Sequence, residues 1–206
     1  MMRKFVTIPL AAFLVLAVAA PASAGANVSN NSSSAMTAQA SWYSDEGSGG
    51  LYAWQESGAS SAYLDYFEEV GAYVDCTPAD DTDDFWGFQG RYVYGYGEGT
   101  LTVGRGSADA QASGMLETFT TLVDDCAGEW SEAEGGSVAV SLDLVATGAK
   151  MKERGTSSFK IPSEFNGHST YASTFRIAAG SATIDGSEVA VDGAVGKVNW
   201  RDHGNG

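Results

Sequence analysis

Strict alternation of apolar and polar side chains over residues 137–145 is the feature that most limits what this chain can become. Val138, Val140, Leu142 and Leu144 fall on one side of an extended backbone, and Ala139, Ser141 and Asp143 fall on the other. A period of two suits a strand with one face in a core and one in water, whereas a helix would scatter these residues around its axis. Weaker alternation recurs at residues 92–96, 116–123 and 171–177, around Thr183 and Ile184, and at residues 189–191. Glycine-bearing segments lie between these runs: Gly97-Glu98-Gly99, Gly104-Arg105-Gly106, Gly135-Gly136, Asp185-Gly186 and Asp192-Gly193. Asp-Gly pairs are strong short-range hairpin signals, because the turns they favour need positive φ. About ten short strands joined by such turns predict an all-β fold, an antiparallel β-sandwich, with a closed or partly open β-barrel as the alternative.

The N-terminal segment has a different grammar. Arg3 and Lys4 precede an apolar run from Ile8 to Ala20, which ends in the small residues Ala22-Ser23-Ala24. That order is a secretory signal peptide over residues 1–24, and the apolar run is shorter than the roughly 20 residues a bilayer span requires. The expectation is a secreted, extracellular protein that is free of the membrane once the signal is cleaved. Residues 25–40 are small and polar and include the run Asn30-Asn31-Ser32-Ser33-Ser34, which predicts a disordered leader. One β domain over residues 41–206 follows, long enough to bury an ordinary core. Asn27, Asn30 and Asn31 sit in glycosylation sequons, which matter only where the source glycosylates exported chains.

Past the signal segment the chain carries nine basic against 26 acidic residues, a formal charge of −17. Such a surface repels nucleic acid and anionic membranes and favours cationic partners and divalent ions. The two cysteines, Cys76 and Cys126, form an even pair in an oxidising compartment and predict a disulfide bond. No C-x-x-C spacing or basic neighbour suggests a redox role.

Two stretches resist the strand pattern. Tyr63, Tyr66, Phe67 and Val70 fall at helical spacing, yet aromatic and β-branched residues dominate there and no capping box precedes them. The better reading is a hairpin with its turn at residues 68–71. Residues 149–167 are polar, contain Lys150, Lys152, Arg154 and Lys160, and read as a long loop or a poorly packed hairpin.

Signatures of catalysis are missing from the sequence. It contains no G-x-S-x-G, no H-E-x-x-H, no phosphate loop and no dinucleotide fingerprint, and it has only two histidines, His168 and His203. No catalytic residue is assigned. The acidic residues Asp80, Asp81, Asp83, Asp84 and Asp125 flank the two cysteines, and a disulfide would gather them into an oxygen-rich group. Calcium is the cofactor such a group would take, although the spacing is not that of an EF-hand loop. A carboxylate-dependent glycoside hydrolase is an alternative, but 26 acidic residues leave no pair singled out.

Aromatic residues offer the remaining lead. Trp86 is flanked by Phe85 and Phe88, and Tyr92, Tyr94 and Tyr96 share one strand face. Flat rings in a row suit a carbohydrate-binding module, although rings are also ordinary core filling. The sequence therefore predicts an exported, acidic, non-catalytic binding or structural module. An extracellular glycan is the candidate partner if Trp86 or the Tyr92–Tyr96 face is exposed and contiguous.

Overall fold

The computed structural model describes residues 29–44, 47–77, 85–161 and 165–205. Its eight strands are β1 (Ser29–Ser44), β2 (Gly47–Glu56), β3 (Ala62–Asp75), β4 (Trp86–Val103), β5 (Asp109–Asp124), β6 (Glu129–Ile161), β7 (Phe165–Ile184) and β8 (Ser187–Asn205). Each pairs antiparallel with its neighbour in sequence, and β8 returns to pair with β1, so a single sheet closes on itself as a closed barrel. The all-β, antiparallel expectation holds. Of the two arrangements the sequence left open, the single closed sheet forms.

The alternation at residues 137–145 locates the interior. Val138, Val140, Leu142 and Leu144 are buried there, and they meet Leu64, Leu116, Ala112, Ala178, Val195 and Trp42 from around the ring. Closure turns one face of every strand inward, so the core is a filled lumen built from alternate residues of all eight strands. Small side chains make it narrow: Ala38, Ala40, Ala53, Ala62, Ala110, Ala178 and Ala182 are all buried. The outer face carries Gln39, Asp65, Glu98, Gln111, Asp143 and Asp192 among its apolar residues. The apolar lumen differs from that of a transmembrane barrel, whose interior is polar. No helix among the described residues is long and apolar enough to cross a membrane.

Several local expectations are corrected. Residues 29–40 are not a disordered leader: Ser29–Ser44 is a strand whose residues 35–44 pair with β2 and whose residues 29–41 pair with β8. Its polar stretch needs no deep core, because backbone hydrogen bonds to β8 hold it, while Ala38, Ala40 and Trp42 anchor the far end inside. Residues 62–75 are one continuous strand, neither hairpin nor helix. Gly71 lies opposite Gly90 in β4, and the ring of Phe88 occupies the space there: a Cβ at either glycine would come within 2.8 Å of it. The glycine serves ring packing and does not mark a turn.

The same logic applies to Gly97, Gly99, Gly135, Gly136 and Gly193, all of which lie inside strands. A Cβ on Gly99 would meet Leu64 Cδ1 at 2.5 Å, so this glycine makes room for a core leucine. True turns occur at Gly106 (φ 71°) and at Asp185-Gly186 (φ 47° and 83°), where positive φ is required. Of the two readings of residues 149–167, loop or hairpin, the hairpin forms: β6 and β7 pair residue by residue from Lys150↔Arg176 to Ile161↔Phe165.

Because the strands are staggered around the ring, each end carries a projecting lip. One is formed by the ends of β3, β4, β5 and β6, where Ala72 to Asp75 pair only with β4 and Glu129 to Ala133 only with β5. The other is formed by β6, β7, β8 and β1, where residues 150–161 pair only with β7 and residues 29–34 only with β8. Cys76 and Cys126 are joined across the first lip, Cα–Cα 5.2 Å, and link the β3–β4 and β5–β6 connections.

Candidate functional site: an aromatic outer face

Alternation along β4 places Trp86, Phe88, Tyr92, Tyr94 and Tyr96 on the outer side, opposite the residues that pair with the core. Cross-strand register then sets Phe67 beside Tyr94 and Tyr73 beside Phe88 from β3, and Phe119 beside Tyr94 from β5. Six rings, Phe67, Tyr73, Phe88, Tyr92, Tyr94 and Trp130, form one connected layer, with the Tyr96–Phe119 pair beside it. Phe67 lies 5.2 Å from Tyr94 and 6.1 Å from Tyr92, Phe88 stacks on Tyr92 at 4.9 Å and meets Tyr73 at 5.5 Å, and Tyr96 stacks on Phe119 at 5.5 Å. Trp130 from β6 extends the layer past Tyr92 at 6.4 Å.

Phe88 is buried beneath this layer, and it is the stacking that keeps its neighbours in place. The upper rings face solvent: Trp86 is 59 % exposed, Trp130 64 %, Tyr94 49 % and Tyr96 46 %. Tyr92 is half-buried. Trp86 and the Tyr92–Tyr96 row are therefore not core filling. Outer position and exposure are shared by Trp86, Tyr94 and Tyr96, while ring-to-ring contact links Tyr92 and Tyr94 through Phe67 and leaves Trp86 outside it.

Sequence reasoning did not place Phe67, Tyr73, Phe119 or Trp130 in the site. The signal was present in β3, where Tyr63, Asp65, Phe67 and Tyr73 alternate outward, but a turn placed at residues 68–71 broke the pattern. Phe119 and Trp130 become neighbours only through sheet pairing, which no local spacing reports.

Burial, with carboxylates bordering the rings, holds nearby phenols in their neutral form. Burial pushes the Tyr92 hydroxyl above its ordinary value, and the negative charge of Glu69 adds to this. Burial also raises Tyr63, which hydrogen-bonds to Asp65; Asp65 itself is raised by burial, against the lowering effect of that bond. The phenols thus stay neutral donors at physiological pH. Further along the outer face of β4 the rings give way to hydroxyls, and Thr100, Thr102, Ser113, Ser141, Ser181 and Thr183 line a shallow depression. There Gln111 Nε2 donates to Asp143 Oδ2 at 3.2 Å, and Thr100 and Ser113 share a hydroxyl hydrogen bond of 3.1 Å.

Of the acidic group, Asp80, Asp81, Asp83 and Asp84 lie outside the described residues. Asp125 is described, and its Oδ2 accepts the Phe88 backbone N–H at 2.9 Å, tying the β5–β6 turn to the floor of the aromatic layer. Asp75 accepts the Thr77 N–H at 2.9 Å, and Asp124 accepts Gln89 Nε2 at 3.0 Å and the Ala127 N–H at 3.1 Å. These bonds hold both carboxyls below their usual range. Among the described residues no three metal-type ligands come together. Residues 1–24, read from the sequence as a signal peptide, also lie outside the described residues. No protein-family model, characterised protein or solved structure matches this chain.

Proposed function

We propose that this chain is an exported, non-catalytic binding module whose outer aromatic face holds an extracellular carbohydrate. The observation that carries this reading is the group of solvent-facing rings on the outer side of β3, β4, β5 and β6, with Tyr94 and Trp130 in its connected layer and Trp86 and Tyr96 exposed on the same face of β4. Sugar rings present flat C–H faces, which pack on aromatic faces, while their rims need hydroxyl and amide partners. Such partners stand beside the rings, as Tyr hydroxyls and carboxylates and as the Thr- and Ser-lined depression further along β4. Clustered carboxylates favour a neutral or amine-bearing glycan over an acidic one. Export is supported by the signal-like leader and by the disulfide, a bond typical of oxidising compartments.

The test is depletion binding of the protein lacking residues 1–24 on a panel of insoluble cellulose, xylan and chitin, repeated with Trp86→Ala/Tyr94→Ala. Two stacked rings at about 1 kcal/mol each predict a loss of about thirtyfold, with no change in fold by circular dichroism. Failure to bind any polymer of the panel, or undiminished binding by the double variant, would overturn the assignment.

A further inference from the structure

Opposite the aromatic face, the second lip gathers the positive charge of an acidic chain onto one surface. Ala178 of β7 and Val195 of β8 are fully buried in the core, so alternation along β7 turns Arg176, Thr174, Ala172 and Thr170 to the same inward side. Register supplies their neighbours: Lys150 and Val195 flank Arg176, Lys152 and Lys197 flank Thr174, Arg154 and Asn199 flank Ala172, and Arg201 lies beside Thr170. Lys150, Lys152, Arg154, Arg176, Lys197 and Arg201 therefore share the inner face of this lip. They are six of the nine basic residues beyond the signal segment. No acidic residue occupies this face among the described residues; Glu153 and Asp202 point to the other side of the same strands.

The cationic face is also uncompensated. Same-side residues along a strand are about 7 Å apart and adjacent strands about 4.8 Å apart, so the six charges lie within about one Debye length of their neighbours. Among the described residues none of them is in an ion pair, and the Arg176 Nε is buried with no hydrogen-bond partner. Mutual repulsion and an unpartnered buried Nε both cost stability, and both are relieved by an anionic partner. Between the cations stand Ser34, Thr156, Thr170, Thr174 and Asn199, which are hydroxyl and amide groups. The one ring on this face among the described residues whose side chains are placed is His168, beyond Thr170 at the outer end of the face, so no row of rings offers a stacking platform for successive nucleobases, and the position inside the lip suits a chain better than a flat bilayer.

We propose that this face binds an acidic polysaccharide, with Arg154, Arg176 and Arg201 gripping its carboxylate or sulfate groups and the hydroxyl and amide side chains meeting its rim. Arginine is suited to the task because its fork engages an oxyanion through two parallel hydrogen bonds. The proposal is independent of the aromatic face and gives the module a second ligand of opposite chemistry at its opposite end.

The probe is a fluorescent oligogalacturonide, with a dextran oligomer of equal length as neutral control, titrated with the protein lacking residues 1–24 and followed by fluorescence anisotropy. The expected result is binding of the acidic oligomer alone, weakening as NaCl is raised. Lys150→Glu/Lys152→Glu/Arg154→Glu, whose sites are solvent-exposed, should lower affinity by at least about tenfold. Arg105→Glu, an exposed cation in the β4–β5 turn, should change it by less than about twofold. Lys197→Glu/Arg201→Glu repeats the test from β8 should the triple variant lose its circular dichroism spectrum. Trp86→Ala/Tyr94→Ala should leave oligogalacturonide binding intact, which separates this site from the aromatic one. Equal binding of the neutral oligomer, unaltered affinity in both charge-reversed variants, binding only to phosphatidylserine vesicles, or self-association abolished by charge reversal would each overturn the proposal.

Discussion

Leu64→Ala tests whether the lumen is a packed core or a binding cavity. Leu64 is fully buried, pairs with Ala53 on one side and Gly97 on the other, and reaches across toward Gly99 and Gly114, whose missing side chains leave room for its methyls. Truncation removes three buried carbons and leaves a void that the surrounding sheet, held by hydrogen bonds around the whole ring, can collapse only in part. Buried Leu→Ala changes cost about 3–5 kcal/mol. For a chain of this size each kcal/mol shifts the melting temperature by about 2–4 °C, so a drop of about 6–20 °C is expected. Leu122→Ala is the control: it shares the inward parity but lies on the lip, 45 % exposed, and should cost less than about 1 kcal/mol. Thermal and urea unfolding followed by circular dichroism measure both, with the urea slope unchanged if the two variants unfold to the same extent. A drop below about 2 °C for Leu64→Ala would refute the packed lumen and mean that the strands enclose a space that solvent or a ligand fills.

Removal of the disulfide by Cys76→Ser/Cys126→Ser opens a loop of 50 residues and should lower stability by about 4 kcal/mol in the chain-entropy picture, read from urea midpoints. A loss under about 1 kcal/mol would show that the hydrogen bonds Cys76 N–H to Phe85 O and Phe88 N–H to Asp125 already hold the lip closed. Asp65 supplies a pH signature. Its carboxyl is raised in the folded state by burial, so its contribution is full below the ordinary value of 3.8 and is lost as pH rises through the folded value. Asp65→Asn should therefore stabilise the protein at neutral pH by less than about 1 kcal/mol, with the gain vanishing at pH 3; a variant destabilised at neutral pH and equal to the parent at pH 3 would reverse the sign of this argument.

The sequence by itself determined that this chain is built of antiparallel strands, because alternation is a local property and each strand writes its own two faces. The buried set Val138, Val140, Leu142 and Leu144 was legible for that reason, as was the cysteine pair. Glycine was misread at Gly71, Gly97, Gly99 and Gly193, since a glycine that opens a turn and one that yields space to the neighbouring strand, as Gly71 does to Phe88 and Gly99 to Leu64, look identical along the chain. The strand nature of residues 29–40 was hidden for a related cause: its support is the backbone of β8, more than 150 residues away in sequence. Half of the aromatic face was visible in β4, where Tyr92, Tyr94 and Tyr96 alternate. Phe67, Phe119 and Trp130 joined it only through register. The positive face was invisible as such, because Lys150, Arg176 and Lys197 belong to three strands, and only closure of the sheet decided that one side of each strand is the inside. Local chemistry sets which residues share a face, and the pairing of distant strands decides which faces meet.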